Sequence, residues 1–172
     1  MSRPTIREYV TLLERVFLVD ELPPWHTNRL SRLVKSAKLH MVDTGLACAL
    51  LGLDGGTLWR DREMYGQMLE TFVYQELRRQ AGWHPDAIRS FHYRDKDNAW
   101  VDILVEGPGG RIAGVEVKAS ATVEAKDFRG LRKLREATGN KFAAWVLMYD
   151  GPTCIGFGER LFAVPATQLW QT

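Results

Sequence analysis

The sequence predicts an α/β protein with a mixed β-sheet, and three observations support that class. An amphipathic helix is followed by three short runs that are rich in β-branched and aromatic residues. A second amphipathic segment comes next. It precedes "FAAWVLMY", which is apolar almost throughout, as a strand inside a sheet is. The predicted core order is helix, three strands, helix, strand. In order, these segments are 62–80, 88–93, 100–106, 112–118, 125–137 and 142–149.

The N-terminal third predicts a smaller unit of different composition. "PTIREYVTLLERVF" is an amphipathic helix in which Thr5 and Glu8 have the spacing of a capping box. Two short strands, "VFLVDEL" and "KLHMVD", flank a basic connector that begins with two prolines, and a short helix then stops at Gly52. This order is typical of the tail of a winged helix. The glycines in "LDGGTLWRD" mark the predicted boundary between a unit at 1–55 and a unit at 60–172.

Composition limits the classes of function. The chain has 172 residues, 45% of them hydrophobic, which is enough for one well-formed core. Its formal net charge of +2 does not by itself indicate a polyanionic partner. The two cysteines, Cys48 and Cys154, have no CxxC spacing, so a disulfide framework and a zinc knuckle are not expected. We expect a reducing, cytoplasmic setting for this chain. Without a Walker motif or a long apolar run, we expect neither nucleotide hydrolysis nor membrane insertion in this chain.

Two of the predicted strands carry charged residues among their valines and isoleucines: Asp102, Glu116 and Lys118. Successive residues of a strand point to opposite faces, so the apolar residues around each charge are expected to share the core face. If both apolar sets cover the same core, the three charged side chains emerge together on the other face. The apolar sets are Val101, Ile103 and Val105 in one strand, and Val115 and Val117 in the next.

Two carboxylates beside a lysine are suited to phosphodiester hydrolysis. The carboxylates of Asp102 and Glu116 would hold Mg²⁺ or Mn²⁺, which polarises a phosphate and lowers the pKa of bound water. The Lys118 ammonium would offset charge in the transition state. The alternative is that the two acids occupy the solvated face of a half-exposed sheet, with Lys118 screening their repulsion.

The loop between the two strands decides whether the acids share a face. A four-residue loop "GPGG" would pair Glu106 with Arg111 and leave Asp102 and Glu116 on opposite faces. We therefore predict a five-residue connection that includes Arg111, or a glycine bulge within the loop, at Gly109 or Gly110.

A D…ExK pattern on the second and third strands of an αβββαβ core resembles the PD-(D/E)XK nuclease superfamily, whose fold is the restriction-endonuclease-like core. The resemblance implies that Asp102 binds metal, Glu116 is the second carboxylate and Lys118 is the catalytic lysine. In the resolvase-like branch a glutamate of the first core helix also approaches the metal, and "GQMLETFV" matches that pattern at Glu70. For Glu70 the alternative is an edge position on an amphipathic helix. Glu76 is a rival ligand or a buried, hydrogen-bonded carboxylate.

The succession "REYVTLLERVFLVDELPPW", "KLHMVDTGLACALLG", "GQMLETFVYQEL", "HYRDKDNAWVDILVE" and "GVEVKAS" resembles the C-terminal domain of unknown function of a family of prokaryotic AAA-type ATPases. The resemblance implies that this chain is the C-terminal part of a longer protein, with an ATPase module as its partner. Trp100 stands where that family usually has an acidic residue. A nuclease fold can be retained after its catalytic activity is lost, so two alternatives stay open. One is a catalytically inactive module that binds DNA or a protein and regulates the ATPase, and the other is a structural oligomerisation domain in a homo-oligomer.

Basic residues predict contacts with nucleic acid, DNA above all. One set recurs every third residue in the connector, and a second set shares the polar side of the later helix. Both could hold phosphates, and the alternative for each is an ordinary solvated surface. The two sets are Arg29, Arg32, Lys35 and Lys38, and Lys126, Arg129 and Lys133.

Overall fold

The computed structural model describes residues 2–26, 36–94 and 100–171, and for Arg129 and residues 131–133 it describes the backbone alone. Within these ranges, every helix is too short or too polar to cross a bilayer. The α-helices are α1 (Arg3–Arg15), α2 (Thr44–Leu51), α3 (Gly55–Arg60), α4 (Arg62–Trp83) and α5 (Arg129–Thr138). The strands are β1 (Val19–Leu22), β2 (Lys38–Met41), β3 (Arg89–Arg94), β4 (Trp100–Glu106), β5 (Ile112–Lys118), β6 (Phe142–Tyr149), β7 (Ile155–Gly158) and β8 (Leu161–Pro165).

The main sheet has six strands in the order β3-β4-β5-β6-β8-β7. Strands β3, β4 and β5 form an antiparallel meander, after which α5 carries the chain across to β6, which is parallel to β5. Strand β8 is parallel to β6, and β7 lies antiparallel at the edge. The predicted α/β class and the order of helix, three strands, helix, strand are confirmed. Strands β7 and β8 were not predicted.

The N-terminal segment forms helix α1 and a separate antiparallel hairpin of β1 and β2. Helix α1 begins earlier than its predicted capping box, because the Ser2 hydroxyl accepts the Thr5 N–H at 3.3 Å. Strand β1 is shorter than predicted, since the chain turns before it through Phe17, at a positive φ of 58°. At the predicted boundary the chain forms α3, where the Asp54 carboxylate accepts the Thr57 N–H at 2.6 Å.

The hydrophobic core lies on both faces of the main sheet. Helix α4 covers one face with Leu69 and Val73, whereas Phe128 and Leu134, from the segment that leads into and through α5, belong to the cluster on the other. The N-terminal segment enters both clusters, because Leu22 packs with the α4 side and Trp25 with the α5 side. The hairpin is therefore anchored to the main sheet by buried apolar contacts.

Strand β4 carries a β-bulge in its first half. Its pairing with β3 shifts by one residue between Val101 and Leu104, so β4 holds an extra residue there. Val101 and Leu104 consequently belong to the α5-side cluster, while Ile103 and Val105 pack on the α4 side. The prediction that Val101 shares a face with Ile103 and Val105 is therefore wrong. The bulge interrupts the alternation at Asp102, a local feature that strand periodicity does not encode.

The loop between β4 and β5 has the predicted length. Glu106 pairs with Ile112, so five residues, 107–111, connect the strands, and the Gly107 N–H donates to the Arg111 carbonyl at 2.9 Å. Two consecutive loop glycines have positive φ angles near 70°, which favour glycine. At the far end of this ladder, Ile103 pairs with Val115. Continuing this register places Asp102 opposite Glu116.

Gly114 supports the sheet by leaving room for Trp145. A Cβ atom at Gly114 would lie 2.2 Å from the Trp145 ring, which is fully buried. We expect Gly114→Ala to lower the free energy of unfolding by about 1–3 kcal/mol, because the overpacked indole has to shift. Gly156→Ala is the control, since a Cβ there meets no atom within 4 Å. Thermal melts that give both variants the same stability would contradict this packing.

Candidate functional site

Three carboxylates from three elements form the candidate site: Glu70 of α4, Asp102 of β4 and Glu116 of β5. We call them the carboxylate cluster. Lys38, at the start of β2, inserts its ammonium between two of them. Its Nζ donates to Glu70 Oε1 at 2.7 Å and to Asp102 Oδ1 at 3.3 Å. Both acidic side chains are largely buried, with exposed fractions of 25% for Glu70 and 15% for Asp102. The cluster thus contains one tethered cation.

The carboxylates lie where the described pairing between β4 and β5 stops. Beyond the pair of Ile103 and Val115, the Val117 N–H donates to Asp102 Oδ2 at 3.0 Å. In the other direction, the Asp102 backbone N–H favours the charged form of the Glu116 carboxylate, which lowers the pKa of Glu116. A side-chain oxygen of Asp102 thus accepts a backbone N–H from the neighbouring strand. This bond orients the Asp102 carboxylate towards β5.

Glu116 is strongly affected by its surroundings. Burial raises its pKa to about 9, and the neighbouring Asp102 charge adds to the effect, while Lys38 opposes it. Glu116 is therefore protonated at neutral pH. Its Oε2 atom is buried without a hydrogen-bond partner among the described residues. Burial is also the main cause of the raised pKa of Asp102, with repulsion from Glu70 second. Desolvation thus contributes more than mutual repulsion.

Lys118, the lysine of the sequence motif, has a different partner. Its Nζ donates to Asp127 Oδ2, which also accepts the Glu124 N–H at 2.7 Å. Burial acts to raise the pKa of Asp127, but these hydrogen bonds outweigh it and the pKa is lowered. The structure therefore joins Asp102, Glu116 and Glu70 around Lys38, and pairs Lys118 with the segment that precedes α5.

Two of the predicted phosphate-binding residues, Lys38 and Lys126, have described side chains, and both are paired with carboxylates. Lys38 lies in β2 and not in the connector, and its ammonium is bonded to carboxylates. Lys126 is exposed and forms an ion pair with Glu124 at 2.8 Å. The remaining predictions concern side chains outside the described residues. These are Arg29, Arg32, Lys35, Arg129 and Lys133. Sequence reasoning missed the role of Lys38 because spacing alone grouped it with the connector, although it also opens the strand "KLHM".

Two histidines lie near Lys38 and are neutral at pH 7. Burial lowers the pKa of His40 to about 4, with the Lys38 charge as the second cause. The His40 Nδ1 atom lies 3.1 Å from the Thr71 hydroxyl. Burial likewise lowers the pKa of His92 to about 4, and its Nε2 atom lies 3.3 Å from the Ser36 carbonyl oxygen. Neither imidazole therefore adds positive charge beside the cluster at neutral pH.

A cleft of about 510 Å³ adjoins Lys38. Its lining includes His92, Arg94 and Trp100, and the Arg94 guanidinium carbon lies 4.0 Å from the centre of a Trp100 ring. Trp100 is two residues from Asp102 and 43% exposed. Lys38, which is bonded to two of the carboxylates, therefore connects the cluster to a cleft that is bordered by cationic and aromatic side chains.

The donor set of the cluster suits a hard divalent cation. Mg²⁺ and Mn²⁺ prefer oxygen ligands, and the cluster offers carboxylates. Glu70 and Asp102 already share one cation, the Lys38 ammonium. The charges of all three residues act on Glu116, whose Oε2 atom has no hydrogen-bond partner among the described residues. Within residues 2–26, 36–94 and 100–171, however, no three acidic, histidine or cysteine side chains form a ready metal-binding group. A metal ion would require the Lys38 ammonium to move and the carboxylates to converge.

The raised pKa of Glu116 predicts a pH-dependent stability. A folded-state pKa of about 9 lies above the ordinary glutamate value of 4.5, so the stabilisation from the protonated acid is complete below pH 4.5 and lost as pH rises towards 9. Glu116→Gln should remove this loss and stabilise the metal-free protein by roughly 1–3 kcal/mol near pH 7.5, but not at pH 4. Exposed Glu136 supplies the control, Glu136→Gln. Denaturant unfolding at both pH values checks this, and identical pH profiles for Glu116→Gln and the parent would contradict it.

Two relatives match the whole chain: the uncharacterised proteins Rv2008c of Mycobacterium tuberculosis and Mb2031c of Mycobacterium bovis. Each is 28% identical over 173 residues, and the match covers all of this chain and 37% of the relative. The chain therefore spans little more than a third of the length of these curated relatives.

Two family profiles match consecutive parts of the chain. A domain of unknown function, DUF8612, matches residues 1–57, which include Lys38. A second domain of unknown function, DUF4143, matches residues 65–169, which include the carboxylate cluster and Lys118. The second match covers more than half of the chain, and the protein therefore belongs to the DUF4143 family.

Proposed function

We propose that this chain is a nuclease-like module of a larger ATPase and that its carboxylate cluster binds Mg²⁺ or Mn²⁺ to hydrolyse phosphodiester bonds in nucleic acid. One observation carries the proposal: Glu70 and Asp102 hold a single cation between them, with the buried, unpartnered oxygen of Glu116 alongside. Carboxylates gathered around a cation beside an open cleft are suited to phosphoryl chemistry.

The topology supports this assignment. The antiparallel meander β3-β4-β5, followed by α5 and a parallel β6, has the strand directions expected of a PD-(D/E)XK core. Helix α4 precedes the meander and supplies Glu70. Asp102 and Glu116 lie on the second and third strands of that core, the positions that the motif assigns to the two acids.

In this mechanism the residues of the chain bind the metal and orient the phosphate. Asp102 and Glu70 would hold the ion, and Glu116 would join them once it loses its proton. When bound, the ion would supply Lewis acidity to the scissile phosphate and would lower the pKa of a water molecule that attacks it. The hydrogen bond from the Val117 N–H keeps the Asp102 carboxylate oriented. A lysine ammonium beside the phosphate would offset developing negative charge.

The larger protein is part of the proposal. The relatives are much longer than this chain, and the resemblance of the sequence to the C-terminal part of AAA-type ATPases supports an ATPase module as the partner. We propose that the module works in the cytoplasm on DNA, with assembly of the ATPase bringing several copies together as a homo-oligomer. The unit at 1–55 would then be a winged-helix remnant that connects the ATPase to the nuclease-like unit.

A second candidate is a non-catalytic module that binds DNA or a protein and regulates the ATPase. One observation favours it: the motif lysine Lys118 is bonded to Asp127 instead of the cluster, while Lys38 holds the position of a cation. In that case the two carboxylates and Lys38 form a buried ionic network, which need not add to stability but restricts the arrangements available.

Metal titration and cleavage separate the candidates. For a nuclease we expect Mn²⁺ to bind with measurable heat and plasmid DNA to be cut in Mn²⁺ or Mg²⁺. Asp102→Asn should lower cleavage by about a hundredfold or more, because it removes charge at the metal. Glu159→Gln is the control, since Glu159 is exposed and distant in sequence from the cluster. Metal binding without cleavage by the parent protein would favour the second candidate, and the absence of both would refute the metal site.

A further inference from the structure

We propose that Lys38 is the resident counter-ion of the carboxylate cluster, and that a divalent ion binds by displacing its ammonium into the adjoining cleft, where it faces a phosphate group. The proposal rests on the proposed function and deepens it. It assigns to Lys38, from the 1–57 segment, the place beside the reacting phosphate that the sequence motif assigns to Lys118.

The first argument is position. The Lys38 ammonium lies within hydrogen-bond distance of both Glu70 and Asp102, at 2.7 and 3.3 Å. A divalent ion bound by the same two carboxylates would be close to that ammonium if it did not move. Like charges at such separations repel strongly in a partly buried site. The ammonium and the metal ion therefore compete for one location.

The second argument compares the two lysines. Lys38 and Lys118 have equally exposed side chains, 24% each, so access does not distinguish them. Their partners do, because Lys118 is bonded to Asp127, whereas Lys38 is bonded to two members of the cluster. Lys38 also acts electrostatically on Glu116. Of these two lysines, Lys38 is the one coupled to all three acids.

The third argument is the destination of the displaced ammonium. Lys38 also lines the cleft of about 510 Å³ that contains Arg94 and Trp100. Its long, rotatable side chain can turn from the carboxylates into that cleft without moving β2. A nucleotide unit in the cleft would then find the Lys38 and Arg94 cations for its phosphate and the half-exposed Trp100 ring for its base.

Chemical modification tests the displacement in the unaltered protein. An N-hydroxysuccinimide acetate reacts with free amines, and mass spectrometry reads the acetylated fraction of each lysine. We expect acetylation of Lys38 to be slow without metal and several-fold faster with Mg²⁺, because the amine leaves its ion pairs. Lys126 serves as an exposed internal control. A Lys38 rate that is unchanged or reduced by Mg²⁺ overturns the proposal.

Metal affinity gives an independent test with matched variants. Calorimetry with Mn²⁺ alone should show that Lys38→Met binds about tenfold or more tightly than the parent, since the competing charge is absent. Lys118→Met should bind like the parent. Mn²⁺ should also raise the melting temperature of Lys38→Met more than that of the parent, and Lys38→Gln repeats both measurements. Equal Mn²⁺ affinity in Lys38→Met and the parent overturns the proposal.

Cleavage assays then distinguish failure of this proposal from failure of the proposed function. If Mg²⁺ exposes Lys38 but no protein cuts DNA, the displacement stands and catalysis is refuted. If the parent and Lys38→Met cut plasmid DNA equally well while Lys118→Met does not, the nuclease stands and the role of Lys38 is refuted. Loss of cleavage in Lys38→Met with normal cleavage in Lys118→Met supports both.

Discussion

The site depends on the partial burial of three acidic side chains, Glu70, Asp102 and Glu116, together with the Lys38 ammonium. Burial raises the pKa of both Asp102 and Glu116, and each additional negative charge makes ionisation of the next acid harder. The Lys38 ammonium opposes both effects, and the protonated state of Glu116 reduces the remaining charge. The surrounding fold maintains this balance: the Val117 N–H orients Asp102, and two neutral histidines lie nearby without adding charge.

This balance of charges requires the hairpin of β1 and β2 to pack against the main sheet, because the cation and the carboxylates come from different segments. Lys38 belongs to the segment matched by one family profile, and the carboxylates belong to the segment matched by the other. Leu22 and Trp25 anchor the hairpin in the two core clusters, which fixes the distance between β2 and the cluster. The site is therefore a composite of both segments. Under the proposed function, a movement of the hairpin relative to the sheet would change the charge in the metal position.

Much of the sheet could be predicted from the sequence, because apolar alternation and loop glycines are local signals. The bounds of β4, β5 and β6 follow from their runs of apolar residues. The requirement that Asp102 and Glu116 share one face of the sheet predicted a five-residue loop or a glycine bulge, and the loop has five residues. The β-bulge at Asp102 could not be predicted, since it depends on pairing with β3 across the sheet. Strands β7 and β8 escaped prediction because they are short and β7 contains two glycines.

Strand alternation predicted that Asp102 and Glu116 lie side by side and the resemblance added Glu70, whereas Lys38 was not predicted as their cation. The ion pairs of Lys38 join residues that are 32 and 64 positions apart, and spacing along the chain carries no signal of such contacts. The partner of Lys118 lies nine positions away, yet Asp127 follows a loop whose path the sequence does not specify. Long-range charge pairing was thus the part of the site that only the three-dimensional arrangement could supply.

The most direct test of a buried, cation-dependent carboxylate cluster is an NMR titration of the Glu116 side-chain carboxyl carbon, with and without Mg²⁺. The account predicts a pKa of about 9 in the metal-free protein and a pKa several units lower when Mg²⁺ is present, because the ion favours the charged carboxylate. An ordinary glutamate pKa that does not respond to Mg²⁺ would contradict it.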